Sequence, residues 1–290
     1  MQEITVFSDS FEEYLKGLFT NFDKDYKILT DSMQYSLLGG GKRIRPFLLV
    51  EFFKLCGGQE KLAYNFAAAL EMIHTYSLIH DDLPCMDNDD FRRGKPSNHK
   101  QFGEDIALLA GDSLLTEAFY VASNTHDIKP ESVREALNLL AFYAGTRGMV
   151  GGQVIDLQSE GKQVEAETIE KLNLLKTGAL LKAACQIGCV LAGVNKEKQA
   201  AAVKYGENIG LAFQLIDDVL DATADEAVLG KPVGSDEKNE KSTFASIYGL
   251  EYCKNKAKEL TEEAISSLTV FGKDIETLKA TALFLLERKF

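Results

Sequence analysis

Residues 73–96 read IHTYSLIHDDLPCMDNDDFRRGKP, and this stretch decides how the rest of the chain is interpreted. We predict that the helix carrying its first residues ends near residue 82, because Pro84 cannot continue regular helical hydrogen bonding. An irregular turn after Pro84 would bring Asp87 back toward Asp81. The stretch therefore predicts a helix end that presents a cluster of carboxylates, with basic residues directly after it.

A second aspartate cluster, Asp217-Asp218-Val219-Leu220-Asp221, follows near residue 220. At about 100° per helical residue, Asp217 and Asp221 share one face, one turn apart. Gln214 falls on the same stripe, which borders the apolar face of that helix. We therefore predict that this stripe lines a cavity.

A single acidic cluster is usually a solvated helix end. Two such clusters in one chain instead favour a metal site. Like charges at close spacing repel one another and need compensation. Hard oxygen ligands of this kind suit Mg²⁺, which commonly bridges carboxylates to substrate phosphates. The pair of clusters therefore predicts Mg²⁺ bound with a diphosphate.

Basic residues in two runs complete the pattern, although either run alone is typical of a surface patch. The stretch GGGKRIRP at 39–46 places three cations after a glycine turn, with Pro46 suited to opening a helix. Backbone N–H groups and fixed cations suit a second diphosphate. This stretch is not the GxxxxGK[ST] phosphate loop and no strand precedes it, which argues against nucleotide hydrolysis. In the second run, Arg92 and Arg93 follow the first aspartate cluster, and arginine forks match phosphate oxygens.

The whole chain, residues 1–290, is predicted to form a single all-α domain. It contains five prolines and 45% apolar residues, and we find no linker, repeat or sustained alternation of apolar and polar residues. Ser10 and Glu13, in capping-box spacing, are predicted to open the first helix. Further helical segments are predicted near 46–56, 61–82, 104–122, 131–148, 168–193, 198–222, 242–269 and 275–286.

The composition of the chain limits which binding partners and which cellular compartment we expect. The net charge of −12 argues against nucleic acid, whose binding relies on Lys and Arg. We find no run of 18 or more apolar residues and no signal peptide at the start, so no membrane span is predicted. Five cysteines without a CxxC pair indicate reduced, structural thiols and a cytoplasmic location.

In combination, these motifs resemble the trans-isoprenyl diphosphate synthases, in particular bacterial farnesyl diphosphate synthases and the related geranylgeranyl enzymes. The resemblance implies the all-α isoprenoid synthase fold, with helices around a deep central cavity, and a homodimer. Besides residues 39–46 and 73–96, it covers LAGDSLL at 109–115, GGQ at 151–153, KTGAL at 176–180, FQLIDDVLD at 213–221, LGK at 229–231 and KST at 241–243.

The resemblance also implies roles for individual residues. The expected Mg²⁺ ligands are Asp81, Asp82, Asp87, Asp217 and Asp221. Isopentenyl diphosphate is expected to bind Lys42, Arg45, His74 and Arg93. The allylic diphosphate is expected to bind through Mg²⁺ with the help of Arg92, Lys176 and Lys231. Thr177 and Gln214 are expected to line the reacting centre, and Lys241 is a further expected substrate-binding residue.

The implied reaction condenses isopentenyl diphosphate with dimethylallyl diphosphate or geranyl diphosphate, through ionisation, condensation and elimination. Farnesyl diphosphate is the expected product, because the aromatic Tyr76, followed by Ser77, resembles the residues that limit chain length in farnesyl synthases. A helical wheel places Tyr76 about 140° from Asp81, so its position in the cavity rests on the resemblance. Otherwise Tyr76 is an ordinary core aromatic.

Other functions remain open at this point. A geranylgeranyl diphosphate synthase of the same family would share every motif. A terpene cyclase would normally replace the second aspartate cluster with an Asn/Ser/Glu metal motif, and it would not need a second diphosphate site. A non-catalytic helical subunit would be expected to lack one aspartate cluster or the basic residues, whereas this chain keeps them.

Overall fold

The computed structural model describes residues 2–20, 22–223, 243–272 and 274–287. Most of these residues are helical and very few lie in strands, which confirms the all-α prediction. A short antiparallel hairpin of β1 (Phe91–Arg92) and β2 (Lys95–Pro96) follows the fourth helix. The α-helices are α1 (Gln2–Gly17), α2 (Lys27–Leu37), α3 (Ile44–Leu55), α4 (Tyr64–Asp81), α5 (Asn98–Phe102), α6 (Glu104–Ser123), α7 (Pro130–Ala144), α8 (Met149–Ser159), α9 (Ala166–Lys176), α10 (Gly178–Leu191), α11 (Lys196–Thr223), α12 (Phe244–Tyr248), α13 (Leu250–Ser267) and α14 (Glu276–Leu286).

Helices α4 and α10 form the centre of the fold, because each is apolar around most of its circumference and is buried along most of its length. Helix α4 packs against α3 and α6, and α10 packs against α3, α7 and α11. Gly188 permits the close approach of α10 to α3, since a Cβ atom there would lie 2.3 Å from the Leu49 carbonyl oxygen. The remaining helices surround this pair and leave a cavity beside α4.

Several helix boundaries differ from the sequence predictions. The first helix begins at Gln2, and Ser10 lies inside it, where its hydroxyl donates to the Phe7 carbonyl at 3.0 Å. The predicted segment 168–193 breaks at Thr177 into α9 and α10, whose axes differ by 45°. Helices α2 and α8 were not predicted. Glycines interrupt the apolar pattern of α8, whereas α2 carries Leu29, Met33 and Leu37 four residues apart, a helical signal that the prediction missed.

Helix α6 has the length and apolar composition of a membrane span. Helices α9 and α10, taken together as one bent span, meet the same criteria. Burial against other helices gives a second reason for this composition. Ala110, Leu114 and Ala118 of α6 are fully buried, and α6 packs along α4. Length and composition alone therefore do not separate a membrane helix from a core helix here.

Candidate active site

Two cavities meet at the break between α9 and α10. The larger, of about 480 Å³, lies between α4, α6, α8 and the start of α10, and the smaller, of about 180 Å³, lies between α8, α9 and α11. Lys176 and Thr177 line both cavities. The larger one joins polar groups, among them Arg45, His74, Asp81 and Gln153, to an apolar wall that includes Tyr76, Leu83, Met86, Leu108, Met149, Val150, Val154, Leu157 and Leu180. This lining suits a ligand with a charged head and an apolar tail.

The first aspartate cluster lies where α4 ends. Asp81 is the last residue of α4 and lines the larger cavity. The backbone N–H of Asp87 donates to the Asp81 carbonyl at 2.9 Å, which confirms that the turn returns toward Asp81. Asp82 is buried, and its Oδ1 and Oδ2 atoms accept from Arg92 Nε at 2.7 and 2.8 Å. Asp82 is therefore held by Arg92, whereas Asp81 faces the cavity.

The electrostatics of this cluster favour an added cation. The pKa of Asp81 is raised to about 6, chiefly by burial; Asp87 and Asp82 add to the rise, and Lys176 and Arg92 oppose it. Burial also raises the pKa of Asp82, against the hydrogen bond from Arg92. Both shifts mean that burial and mutual repulsion disfavour the charged carboxylates more than the nearby cations favour them.

The hairpin positions both arginines that follow the cluster. Arg93 and Gly94 form its turn with φ of 53° and 73°, a pairing typical of two-residue hairpin loops. Arg93 donates to the Gly40 carbonyl, and a Cβ atom at Gly41 would lie 2.9 Å from Arg93 Nη2. The predicted glycine turn is therefore present and contacts Arg93. Any larger residue at Gly41 would displace the Arg93 side chain.

Arg93, Arg45 and His74 form a basic pocket beside the first cluster. Arg45 and His74 line the larger cavity, and the buried Nε of Arg45 has no hydrogen-bond partner among the described residues. Desolvation lowers the pKa of His74 well below its ordinary value, and the charges of Arg45 and Arg93 lower it further. His74 is therefore an uncharged donor or acceptor between two cations. Lys42 is exposed, with its Nζ 5.8 Å from the centroid of the Phe284 ring on α14.

Arg43, the cation between the expected ligands Lys42 and Arg45, does not belong to this pocket. Arg43 is 3% exposed and has a left-handed φ of 49°, which turns its side chain into the protein. Its Nη1 donates to Glu71 at 2.6 Å, its Nε to Glu12 at 2.7 Å and its Nη2 to the Leu37 carbonyl at 2.6 Å. The buried carboxylate of Glu71 requires such a partner, because an unpaired charge in the interior is costly.

A line of polar contacts crosses the break between α9 and α10. Lys176 Nζ lies 2.5 Å from Asp156 Oδ2 of α8. The Thr177 hydroxyl donates to Gln214 Oε1 at 3.4 Å, and Gln214 Nε2 donates to Asp218 Oδ1 at 3.2 Å. The predicted pair of Thr177 and Gln214 is therefore brought together, beside Lys176.

Of the stripe predicted to line a cavity on α11, Gln214 lines the smaller cavity together with Asp218, whereas Asp217 and Asp221 line neither of the two cavities. Asp217 is half-buried, whereas Asp218 and Asp221 are buried. Asp218 lines the smaller cavity and accepts from the Phe244 backbone N–H at 2.9 Å, which links α11 to α12.

Gln153 and Asp156 were also missed by the sequence prediction. Both amide atoms of Gln153 are buried in the wall of the larger cavity and have no partner among the described residues. Their signal was present in the stretch GGQVID at 151–156, where Gln153 and Asp156 stand three apart on one helix face. Lys231 and Lys241 lie outside the described residues.

The donor set fits Mg²⁺ that arrives with a phosphorylated substrate better than Mg²⁺ in a closed protein site. Within residues 2–223 and the described residues from 243 onward, no three side chains of His, Cys, Asp or Glu form a ready metal site. Mg²⁺ is usually bound through one or two carboxylates, with phosphate oxygens and water completing its octahedron. The carboxylates near Asp81 supply ligands of this kind, with excess negative charge.

Comparisons with known proteins agree with this arrangement. At 47% identity, the chain is similar to a geranylgeranyl diphosphate synthase of Cyanophora paradoxa, over 89% of this chain and 87% of that protein. It is 45% identical to a chloroplastic geranylgeranyl pyrophosphate synthase of Capsicum annuum, over 86% of this chain and 68% of that protein. Among solved structures, an FPP/GFPP synthase from Zymomonas mobilis superposes with a TM-score of 0.87 at 37% identity, covering 98% of this chain and 99% of that chain.

A geranylgeranyl pyrophosphate synthetase from Pyrococcus horikoshii superposes with a TM-score of 0.90 at 32% identity, covering 99% of this chain and 98% of that chain. The family model described as polyprenyl synthetase matches residues 26–284. This range includes both aspartate clusters, the basic pocket and the helix break. The chain is therefore a member of the polyprenyl synthetase family, the trans-isoprenyl diphosphate synthases.

Proposed function

We propose that this prenyltransferase extends an allylic diphosphate with isopentenyl diphosphate until it releases geranylgeranyl diphosphate. The observation that carries the proposal is the larger cavity, which joins Asp81 and Lys176 to a long apolar wall. The names of the relatives support the C20 product over the farnesyl product expected from the sequence, since most of those at 43–47% identity are geranylgeranyl synthases.

In this proposal, the allylic diphosphate binds between the two aspartate clusters. Bound Mg²⁺ supplies positive charge that stabilises the departing diphosphate. Arg92 and Lys176 bind the same group from the protein side, with Lys231 and Lys241 as further ligands. The proposed Mg²⁺ ligands are Asp81, Asp87, Asp217 and Asp221, while Asp82 acts by orienting Arg92.

Isopentenyl diphosphate binds the basic pocket of Arg45, His74 and Arg93, together with Lys42. Neutral His74 hydrogen-bonds a phosphate oxygen, and the arginines supply the charge. The oxygens of Thr177 and Gln214 stabilise the allylic cation, which the double bond of isopentenyl diphosphate attacks. The apolar wall excludes water that would capture the cation, and the proton lost at the end passes to the released diphosphate.

Farnesyl diphosphate is the second candidate product, and Tyr76 favours it. Tyr76 is 7% exposed and lines the same cavity as Asp81, with its ring centroid 5.7 Å from that of His80. The helical-wheel angle did not predict this shared cavity. A bulky ring in the cavity wall shortens the space available to the growing chain.

The purified protein should be assayed with isopentenyl and dimethylallyl diphosphates, with and without Mg²⁺, reading product length by mass. A Mg²⁺-dependent C20 product would support the proposal, and a C15 product would select the Tyr76 alternative. If folded protein gave no product, the non-catalytic subunit would become the better interpretation.

Replacing Tyr76 with alanine is expected to lengthen the main product by at least one isoprene unit, because the cavity gains the volume of the ring. Tyr248→Ala is the matched control, since Tyr248 is exposed on α12. Product mass under identical conditions is the measurement. An unchanged product would show that another side chain ends the cavity.

Lys42→Ala is expected to raise the KM for isopentenyl diphosphate by about tenfold, equivalent to about 1.4 kcal/mol of lost binding. The KM for the allylic substrate should change little, because Lys42 is assigned to the other diphosphate. Lys54→Ala, at the far end of α3, is the control. Equal increases in both KM values would place Lys42 outside this site.

A homodimer is part of the proposal. Leu108, Val150 and Leu157 line the larger cavity and are nevertheless 38–47% exposed, beside exposed Leu109 and Phe142. A second copy covering this face of α6, α7 and α8 would bury these side chains and close the cavity wall. Light scattering on the protein as it elutes from a size-exclusion column measures the mass of the assembly. A monomer at micromolar concentration would refute the dimer.

A further inference from the structure

Two cysteines that the proposed reaction does not use lie side by side in the fold. Cys56 directly follows α3 and Cys189 belongs to α10, and their sulfur atoms are 3.7 Å apart. They are separated by 133 positions in sequence, so the packing of α3 on α10 alone brings them together. All five cysteines of the chain are free thiols in the structure.

We propose that Cys56 and Cys189 form an oxidative modification site, at which a hydroperoxide converts the two thiols into a disulfide that ties α3 to α10. The geometry carries this proposal. A sulfur separation of 3.7 Å is van der Waals contact, so a small shift reaches the bond length of about 2.05 Å. The end of α3 has room for that shift, because Gly57 follows Cys56 and a Cβ atom built at Gly57 would meet no heavy atom within 4 Å.

The two sulfurs differ in a way that orders the reaction. Cys56 is partly exposed, whereas Cys189 is fully buried. The hydrogen bond with Cys189 lowers the pKa of Cys56, with Lys198 assisting, while the same contact and burial raise the pKa of Cys189. Cys56 is therefore the thiolate that a peroxide reaches first, and Cys189 is the resolving thiol.

The steps balance with hydrogen peroxide as the oxidant. The Cys56 thiolate attacks one peroxide oxygen, the O–O bond breaks, and the departing hydroxide takes a proton to become water. The sulfur of Cys189 then attacks the sulfenic acid at Cys56, the S–O bond breaks, and a second water leaves with the Cys189 proton. Two thiols lose two hydrogens, and one peroxide is reduced to two waters.

The test uses the full chain treated with a few equivalents of hydrogen peroxide, followed by alkylation of free thiols and non-reducing peptide mapping. We expect the Cys56 and Cys189 peptides to be joined, with the mass of the protein lower by two hydrogens. Cys185→Ala should keep the joined peptide, because Cys185 lies one turn away on α10, whereas Cys56→Ser should lose it. Over-oxidised Cys56 with Cys189 still alkylated, or Cys56 joined elsewhere, would overturn the proposal.

A second measurement separates a native bond from one formed in unfolded protein. A disulfide that closes so long a loop without distorting α3 and α10 should raise the thermal midpoint by about 5 °C or more. The midpoints of peroxide-treated wild type and treated Cys56→Ser should be compared without reductant. A lower midpoint in the bridged protein would show that the bond does not fit the native fold and would overturn the proposal.

Discussion

Asp81→Asn is expected to lower turnover by about 10²- to 10³-fold, the size of the effect when one preorganised group that stabilises transition-state charge is removed. Asp81 ends α4, faces the larger cavity and is assigned as a ligand of Mg²⁺. Asparagine keeps the shape of the side chain and removes its charge. The Mg²⁺ concentration needed for half-maximal rate should also rise, because the cluster attracts the ion less strongly.

Asp90→Asn is the matched control for this change. Asp90 belongs to the same acidic run, but its side chain is 63% exposed and pairs with Lys100 at 2.8 Å. Its turnover should remain within about twofold of wild type, since exposed pairs contribute little. Asp81→Asn should keep the helical circular dichroism and thermal midpoint of wild type. Near-normal turnover in Asp81→Asn would remove Asp81 from the proposed metal site.

The sequence predicted the parts of the site that depend on local spacing. The return of Asp87 toward Asp81 follows from the proline turn, and Gln214 lines a cavity as its stripe on α11 predicts. Contacts between distant segments were beyond such reasoning. The pairing of Lys176 with Asp156 depends on how α8 meets the end of α9, where a Cβ atom at Gly152 would lie 2.2 Å from the Lys176 backbone nitrogen.

The start of α1 also depends on contacts between distant segments, which local spacing does not predict. Capping-box spacing at Ser10 and Glu13 predicted a start that the structure lacks, because burial of Ile4 and Phe7 extends the helix toward the N-terminus. A local cap contributes about 1 kcal/mol, and burying two large apolar side chains contributes more. Tertiary packing therefore overrides the cap signal at this position.

Arg43 is the clearest case in which local spacing does not predict where a side chain lies. In the sequence it stands between two predicted ligands, Lys42 and Arg45, but in the structure it is buried in the interior. Arg43→Met is expected to lower the free energy of unfolding by about 3 to 5 kcal/mol, since it leaves the buried Glu71 carboxylate without its ion pair. Chemical denaturation measures this loss. Lys16→Met is the matched control, because it breaks the exposed pair with Glu13 and should cost at most about 1 kcal/mol.

The double variant Arg43→Met/Glu71→Leu distinguishes a lost attraction from an unpaired buried charge. If the cost of Arg43→Met comes from the unpaired Glu71 carboxylate, removing that carboxylate should restore part of the lost stability, since apolar pairs often replace buried ion pairs without loss. Glu12 remains in both variants, but it is 24% exposed and can turn toward water. A double variant less stable than Arg43→Met would show that Glu71 stabilises the fold through its other neighbours, Arg45 and Arg93, whose charges it also attracts. In that case the Glu71 carboxylate, more than Arg43, would be the group that holds the basic pocket together.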